Sequence, residues 1–307
     1  MNKNVVLIGG GHGLSNLARG FKDDANINLS IVVSSTDDGG HTGKLRDEFD
    51  IIAVGDLRMV LNEFIKDDSL LKDFFDHRFE RLHSCENVSL GNLVISSLIK
   101  KCGDVDKAID LFCKKEDINC NIYLSSKNPL TLCAESVEGE IIKCERMIGT
   151  SNKEIAKLYT DKEAVCNNKM IESIEKADVI VLSPGSLYTS VGAVLCIDKI
   201  KQSLKNSKAS IVYVCNIMTQ YGETNGFTVG THVKALEKIM ERKIDRVLIN
   251  KGKIENEILN RYMLENSEVV KFDIKDKSYE FYDLVEIIDN KVRHNSELVK
   301  KIIFNQQ

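Results

Sequence analysis

The sequence has no long apolar run. Nowhere in its 307 residues do about 18 apolar residues follow one another, so nothing in it reads as a membrane-spanning helix. It has no basic excess either. Forty-two Lys and Arg against 46 Asp and Glu leave a formal charge of −4, which argues against a surface built for nucleic acid. Only two prolines occur, with no internal repeat and no low-complexity tract, so no linker divides the chain. Residues 1–10 lack the basic start and small-residue cleavage site of a signal peptide, and a cytoplasmic location is expected. The cysteines are Cys85, Cys102, Cys113, Cys120, Cys133, Cys144, Cys166, Cys196 and Cys215, an odd number with no Cys-x-x-Cys pair. That spacing excludes a ready zinc site and favours reduced, tolerated thiols.

What is present is an ordinary globular composition, 43% hydrophobic and 29% charged, long enough to bury a large core. Apolar runs alternate with amphipathic stretches. Strands are expected at 5–8, 29–34, 179–182, 210–215 and 246–250, and helices at 14–21, 168–177, 191–204 and 232–240. This alternation is the pattern of βαβ units on a mostly parallel sheet. Between the two halves, 57–64, 70–79 and 90–102 form a helical block. After it 119–124, 131–136 and 140–145 alternate in period two, with Glu138-Gly139 suited to a hairpin turn. We therefore expect a single α/β, Rossmann-like domain over residues 1–307, with a helical and β-hairpin insertion at roughly 57–147.

The first chemical signal is Gly9-Gly10-Gly11-His12-Gly13, directly after the first strand. Glycine lets a ligand approach the main chain closely, and a helix opening near Leu14 turns free N–H groups toward a phosphate. The spacing departs from Gly-x-Gly-x-x-Gly, and Asp37-Asp38 stand awkwardly for a ribose contact, so a nicotinamide dehydrogenase is disfavoured. The second signal runs from 35 to 46 and holds Asp37, Asp38, Gly39, Gly40, Lys44 and Arg46 at the carboxyl end of a strand. Its carboxylates can hold Mg²⁺ beside a diphosphate or serve as a base; a plain Asp-Gly turn is the alternative. Asp56, in Gly55-Asp56-Leu57-Arg58, suits a helix N-cap as well as a ligand. Asn92 could face a ligand, or Ser89 could simply cap the helix that follows. Pro184-Gly185-Ser186 forms a second strand–glycine–helix junction. No Gly-x-Ser-x-Gly brackets its serines, so phosphate or sugar binding fits it better than a nucleophile elbow. Finally Asn216, Thr219, Gln220, Glu223 and Thr224 share a loop suited to a base edge or sugar hydroxyls, unless it is only a polar surface loop. His232 is as much a structural candidate as a functional one.

Six segments, in order, resemble the CofD/YvcK-like family of bacterial gluconeogenesis factors and their relatives, the 2-phospho-L-lactate transferases. They are 8–14, 37–46, 55–58, 90–93, 184–190 and 215–224, and the resemblance runs on to Arg293-His294. It implies a three-layer Rossmann-like sandwich and a nucleotide-type ligand. In the gluconeogenesis-factor branch that ligand is a UDP-sugar such as UDP-N-acetylglucosamine, with a role in morphogenesis and envelope synthesis on gluconeogenic carbon sources. In the transferase branch the acidic motif helps to hold Mg²⁺, a nucleotide-linked phospholactate and a deazaflavin acceptor. The loop 218–224 looks more like the first branch. His12 stands where the family usually has Thr, His41-Thr42 where small serines are usual, and Lys44 where Arg is usual. The expectation is a cytoplasmic, non-enzymatic regulator. Residues 9–13 and 184–186 would grip a diphosphate, Asp37 and Asp38 would bind sugar, ribose or a metal, and 216–224 would close over the ligand. Mg²⁺ is the one cofactor in view. The alternative is a metal-dependent phospholactate-type transferase, and a homodimer is left open.

Overall fold

Leu-, Ile- and Val-rich runs too short for helices give strands whose two faces are both buried, as a central parallel sheet requires. The structure is a computed structural model that describes residues 2–39, 43, 46, 51–79, 87–273 and 275–304. In chain order the strands are β1 (Lys3–Gly9), β2 (Ile27–Val33), β3 (Arg78–Phe79), β4 (Val88–Ser89), β5 (Asn121–Leu124), β6 (Leu132–Ser136) and β7 (Ile141–Lys143). They continue with β8 (Ile155–Thr160), β9 (Val179–Leu182), β10 (Ser210–Val214), β11 (Arg246–Asn250), β12 (Tyr279–Tyr282), β13 (Val285–Ile288) and β14 (Lys291–His294). Seven of them make one all-parallel sheet in the order β12-β11-β10-β9-β1-β2-β5.

Alternate side chains of this sheet divide between two cores. Val5, Leu7, Ile31, Val33, Val181 and Val212 pack under helices Gly11–Arg19, Gly55–Phe64 and Ser296–Phe304. Val6, Ile8, Val32, Ile180, Leu182 and Ile211 pack under helices Asn168–Glu175, Asp198–Asn206 and Val229–Met240. Each such side chain, fully buried, contributes about 1.5–3 kcal/mol. The result is the three-layer α/β sandwich. From β1 the chain builds outward through β2 and β5, then returns to lay β9 on the other side of β1 and builds outward again. The β1–β9 seam is therefore where the strand order reverses.

Several elements differ from the sequence expectation. The 119–124 strand, grouped by its pattern with the hairpin, is the edge strand β5 of the central sheet. The expected hairpin is β6–β7, with Gly139 at φ +83°, and β8 joins it as an unexpected third antiparallel strand. The 70–79 helix stops at Phe75, and Arg78–Phe79 pairs instead with Val88–Ser89. The single helix expected at 191–204 is three pieces: a π-helical turn Leu187–Gly192, a short Ala193–Leu195 and Asp198–Asn206. Among the described residues, Cys102, Cys113, Cys120, Cys133, Cys144, Cys166, Cys196 and Cys215 are free thiols, and no helix is long and apolar enough to cross a membrane.

Candidate functional site

β1 ends in Gly9, and Gly10 caps the following helix in extended backbone (φ −164°) with no side-chain cap and no acid in the first turn. The Gly11 N–H is taken by the Asp56 carboxylate. The neighbouring N–H groups of His12 and Gly13 point along the helix axis toward the β1–β9 seam, where an anion is favoured. On the far side of the seam β9 runs into Ser183, Pro184 and Gly185, the last at φ +134°, a value that suits glycine. The two turns abut. A Cβ on Gly13 would lie 1.8 Å from the Pro184 carbonyl oxygen, and one on Gly9 would lie 2.0 Å from Ser183 Oγ.

The loop after β10 holds the second turn in place. Asn216 Nδ2 donates to Gly185 O (2.7 Å) while its Oδ1 accepts from Gly185 N (3.1 Å). Ser186 Oγ donates to Gln220 Oε1 at 2.7 Å. Thr219 Oγ1 accepts from Glu268 N at 2.9 Å, which fastens the loop to the segment behind it. Gly10–Gly13, Pro184–Ser186 and 216–221 together line a cavity of about 540 Å³. It opens at the carboxyl ends of β1 and β9, the crevice where open α/β sheets bind ligands.

Other lining residues escaped the sequence reading as members of the site. Tyr262, Glu265 and Ser267 come from helix Asn256–Leu264 and its exit, and Arg293 and His294 come from β14. The first three carry no local signal, since only tertiary packing brings them here. Asn16 Nδ2 donates to His294 O (2.7 Å), and His294 Nε2 donates to Cys215 O (3.0 Å). Burial pushes the His294 ring down to about 4, so it is neutral and tethers β14 to the sheet. His12 is also held below its ordinary value, by burial first and then by Arg293, Lys291, Arg58 and Arg78. It therefore offers the cavity a neutral imidazole amid nearby cations.

The acidic motif lies beside this cavity, behind Gly10. Asp37 Oδ1 accepts from Gly39 N (2.8 Å), and Asp38 accepts from Glu145 N (3.1 Å) and Arg146 N (3.3 Å), capping the helical turn Glu145–Ile148. Arg46 donates to Leu130 O at 3.0 Å. Asn92 is buried near the start of helix Leu90–Cys102, which Ser89 caps, and its Oδ1 meets no donor among the described residues. Glu223 and Thr224 fasten the loop rather than line the cavity. Glu223 accepts from Tyr188 N (3.1 Å) and from the Thr189 hydroxyl, and Thr224 Oγ1 accepts from Gln220 N (2.8 Å). Gly40, His41, Thr42 and Lys44 lie outside the described residues.

Two further acids join the motif. Burial, then Asp37, pushes Asp56 up to about 7, and a Cβ on Gly10 would lie 2.3 Å from its Oδ2. Glu145 accepts from the Thr36 hydroxyl and is raised well above the carboxylate range by burial and then by Asp37. Among the described residues, no three His, Cys, Asp or Glu side chains gather closely enough to hold a metal ion.

The family model described as 2-phospho-L-lactate transferase CofD matches residues 5–289. A Thermotoga maritima protein that carries gluconeogenesis factor as a provisional name is 37% identical over 307 residues, covering 97% of this chain and 98% of that one. The gluconeogenesis factor of Bacillus subtilis is 32% identical over 306 residues, 97% of this chain and 96% of its own. A crystal structure of a Bacillus halodurans protein superposes with a TM-score of 0.93 at 34% identity, covering 99% of both chains.

Proposed function

The chain belongs to the CofD family, among relatives named gluconeogenesis factors, and on that footing we propose that it binds a nucleotide sugar of the UDP-N-acetylglucosamine kind in the β1–β9 cavity. In this reading it is a cytoplasmic regulator of envelope synthesis and cell shape rather than an enzyme. One observation carries the proposal: two glycine turns pressed so closely that Gly13 admits no side chain against Pro184, beside a helix start with no side-chain cap. A diphosphate would accept from the His12 and Gly13 N–H groups and, once it turns from Gln220 Oε1, from the Ser186 hydroxyl, with Arg293 supplying countercharge. Tyr262 and the 216–221 loop would flank the base or sugar. Calorimetric titration with UDP-N-acetylglucosamine tests it; saturable heat is expected, and no heat with no thermal shift at millimolar ligand overturns it.

A second reading, metal-dependent transfer of a phospholactate-type group, is favoured by the raised carboxyls of Asp56 and Glu145 next to Asp37. Those acids do not form a finished metal cage among the described residues, so no step is assigned to a metal. A transfer assay with a deazaflavin acceptor, Mg²⁺ and a nucleotide-linked donor separates the two readings, with Asp56→Asn as the control.

A further inference from the structure

Outside the cavity, among the described residues, the outer edge of β8 has no strand beside it. β8 pairs only with β6 in its three-stranded sheet, in the register Leu132↔Thr160 to Ser136↔Ile155. Asp161 N donates to Thr131 O, so Tyr159 and Lys157 also face β6, and the backbone groups of Leu158 and Thr160 face outward. A register shift leaves Ala156 as an extra residue at the other end.

This edge forms one wall of a long groove. Three cavities, of about 590, 180 and 720 Å³, follow one another along it. The first two share Tyr188, Ala235 and Lys238, and the last two share Lys157, Leu158 and Lys201, so the groove is continuous. Its opposite wall is helix Val229–Met240 along the first two cavities and Cys196–Lys201 along the third, and the six-residue strand spans roughly 20 Å.

The charges on its walls are unequally engaged. Glu163 pairs with Lys199, Asp198 pairs with Lys201, and Glu241 pairs with Lys201 and Lys205. Among the described residues Lys157, Lys162, Lys234 and Lys238 make no ion pair, against the acids Glu154 at one end and Asp161 at the other, whose carboxylate accepts from Thr131 N. We propose that this groove docks an extended, acidic segment of a partner protein, which adds a short strand at Leu158–Thr160 and sets its carboxylates against Lys157 and Lys238.

The test uses the full chain and fluorescein-labelled octapeptides, read by fluorescence anisotropy. The probe alternates glutamate with valine; one control carries lysine for glutamate, and another carries proline for valine, which removes the strand's donors. Saturable binding of the acidic probe is expected, with no binding of the lysine peptide. A loss of about tenfold or more is expected with the proline peptide and in Lys157→Glu/Lys238→Glu, whose melting temperature checks its fold. The proposal is overturned if the acidic probe does not bind at millimolar protein, if the proline peptide binds as well, or if the double variant binds unchanged. Sedimentation showing a dimer that the double variant abolishes would assign the groove to a second copy instead.

Discussion

At the scale of single residues, the account leans on Gly13. Its missing side chain leaves room for Pro184 O, and a methyl group there has 1.8 Å where contact needs about twice that. Gly13→Ala should lower stability by about 1–3 kcal/mol and abolish nucleotide-sugar binding. Gly103→Ala, at φ +65° with nothing nearby, should cost about 1 kcal/mol and leave binding intact; calorimetry and thermal melting of both variants check this. Two groups, His294 buried and Asp56 half-buried, give a pH dependence of opposite sign. His294 titrates near 6.5 unfolded and about 4 folded, so its contribution is full above 6.5 and lost as pH falls toward 4. Asp56 titrates near 3.8 unfolded and about 7 folded, so its contribution is full below 3.8 and lost as pH rises to 7. Asp56→Asn should therefore gain on the natural chain across pH 4–7, by on the order of 2–4 kcal/mol, and hold a level difference above 7. Melting temperatures of both proteins against pH read this directly; a difference constant across that range contradicts it. The glycines were legible in the sequence because their reason is local. Glu145, Tyr262 and His294 were not, because each acquires its role from groups more than thirty positions away that only the folded chain brings close.

At the scale of elements, the loop after β10 acts as a brace. Asn216 spends both its amide groups on Gly185, so Asn216→Ala removes two hydrogen bonds and frees the turn. A stability loss of about 1–3 kcal/mol is expected, with weaker nucleotide-sugar binding, measured by melting and calorimetry. Asn216→Asp keeps the acceptor and loses the donor, and should fall between. The strands of the central sheet were legible because both faces are buried and their apolar runs are short. The place of β5 was not, since its alternation matches a hairpin strand and only pairing with β2 settles it. The π-helical turn was hidden for another reason. Glu223, 35 positions after Tyr188, takes the Tyr188 N–H and dictates how that helix begins.

At the scale of the whole molecule, the reversal of strand order between β1 and β9 brings two glycine turns, at 9–13 and 184–186, to one crevice. Neither turn identifies a ligand alone, and their order among the other motifs carried the family resemblance that the comparisons bear out. The β8 groove shares no lining residue with this crevice and meets its loop only at Gly222 and Glu223, so occupation at Leu158–Thr160 should leave the nucleotide-sugar affinity unchanged; titrating the protein with both ligands together checks this. The most direct measurement of the central claim is a crystal structure of the complex with UDP-N-acetylglucosamine. Diphosphate density against the His12 and Gly13 amides and Ser186 is the predicted result. Density anywhere else on the protein, with the β1–β9 crevice empty, would contradict it.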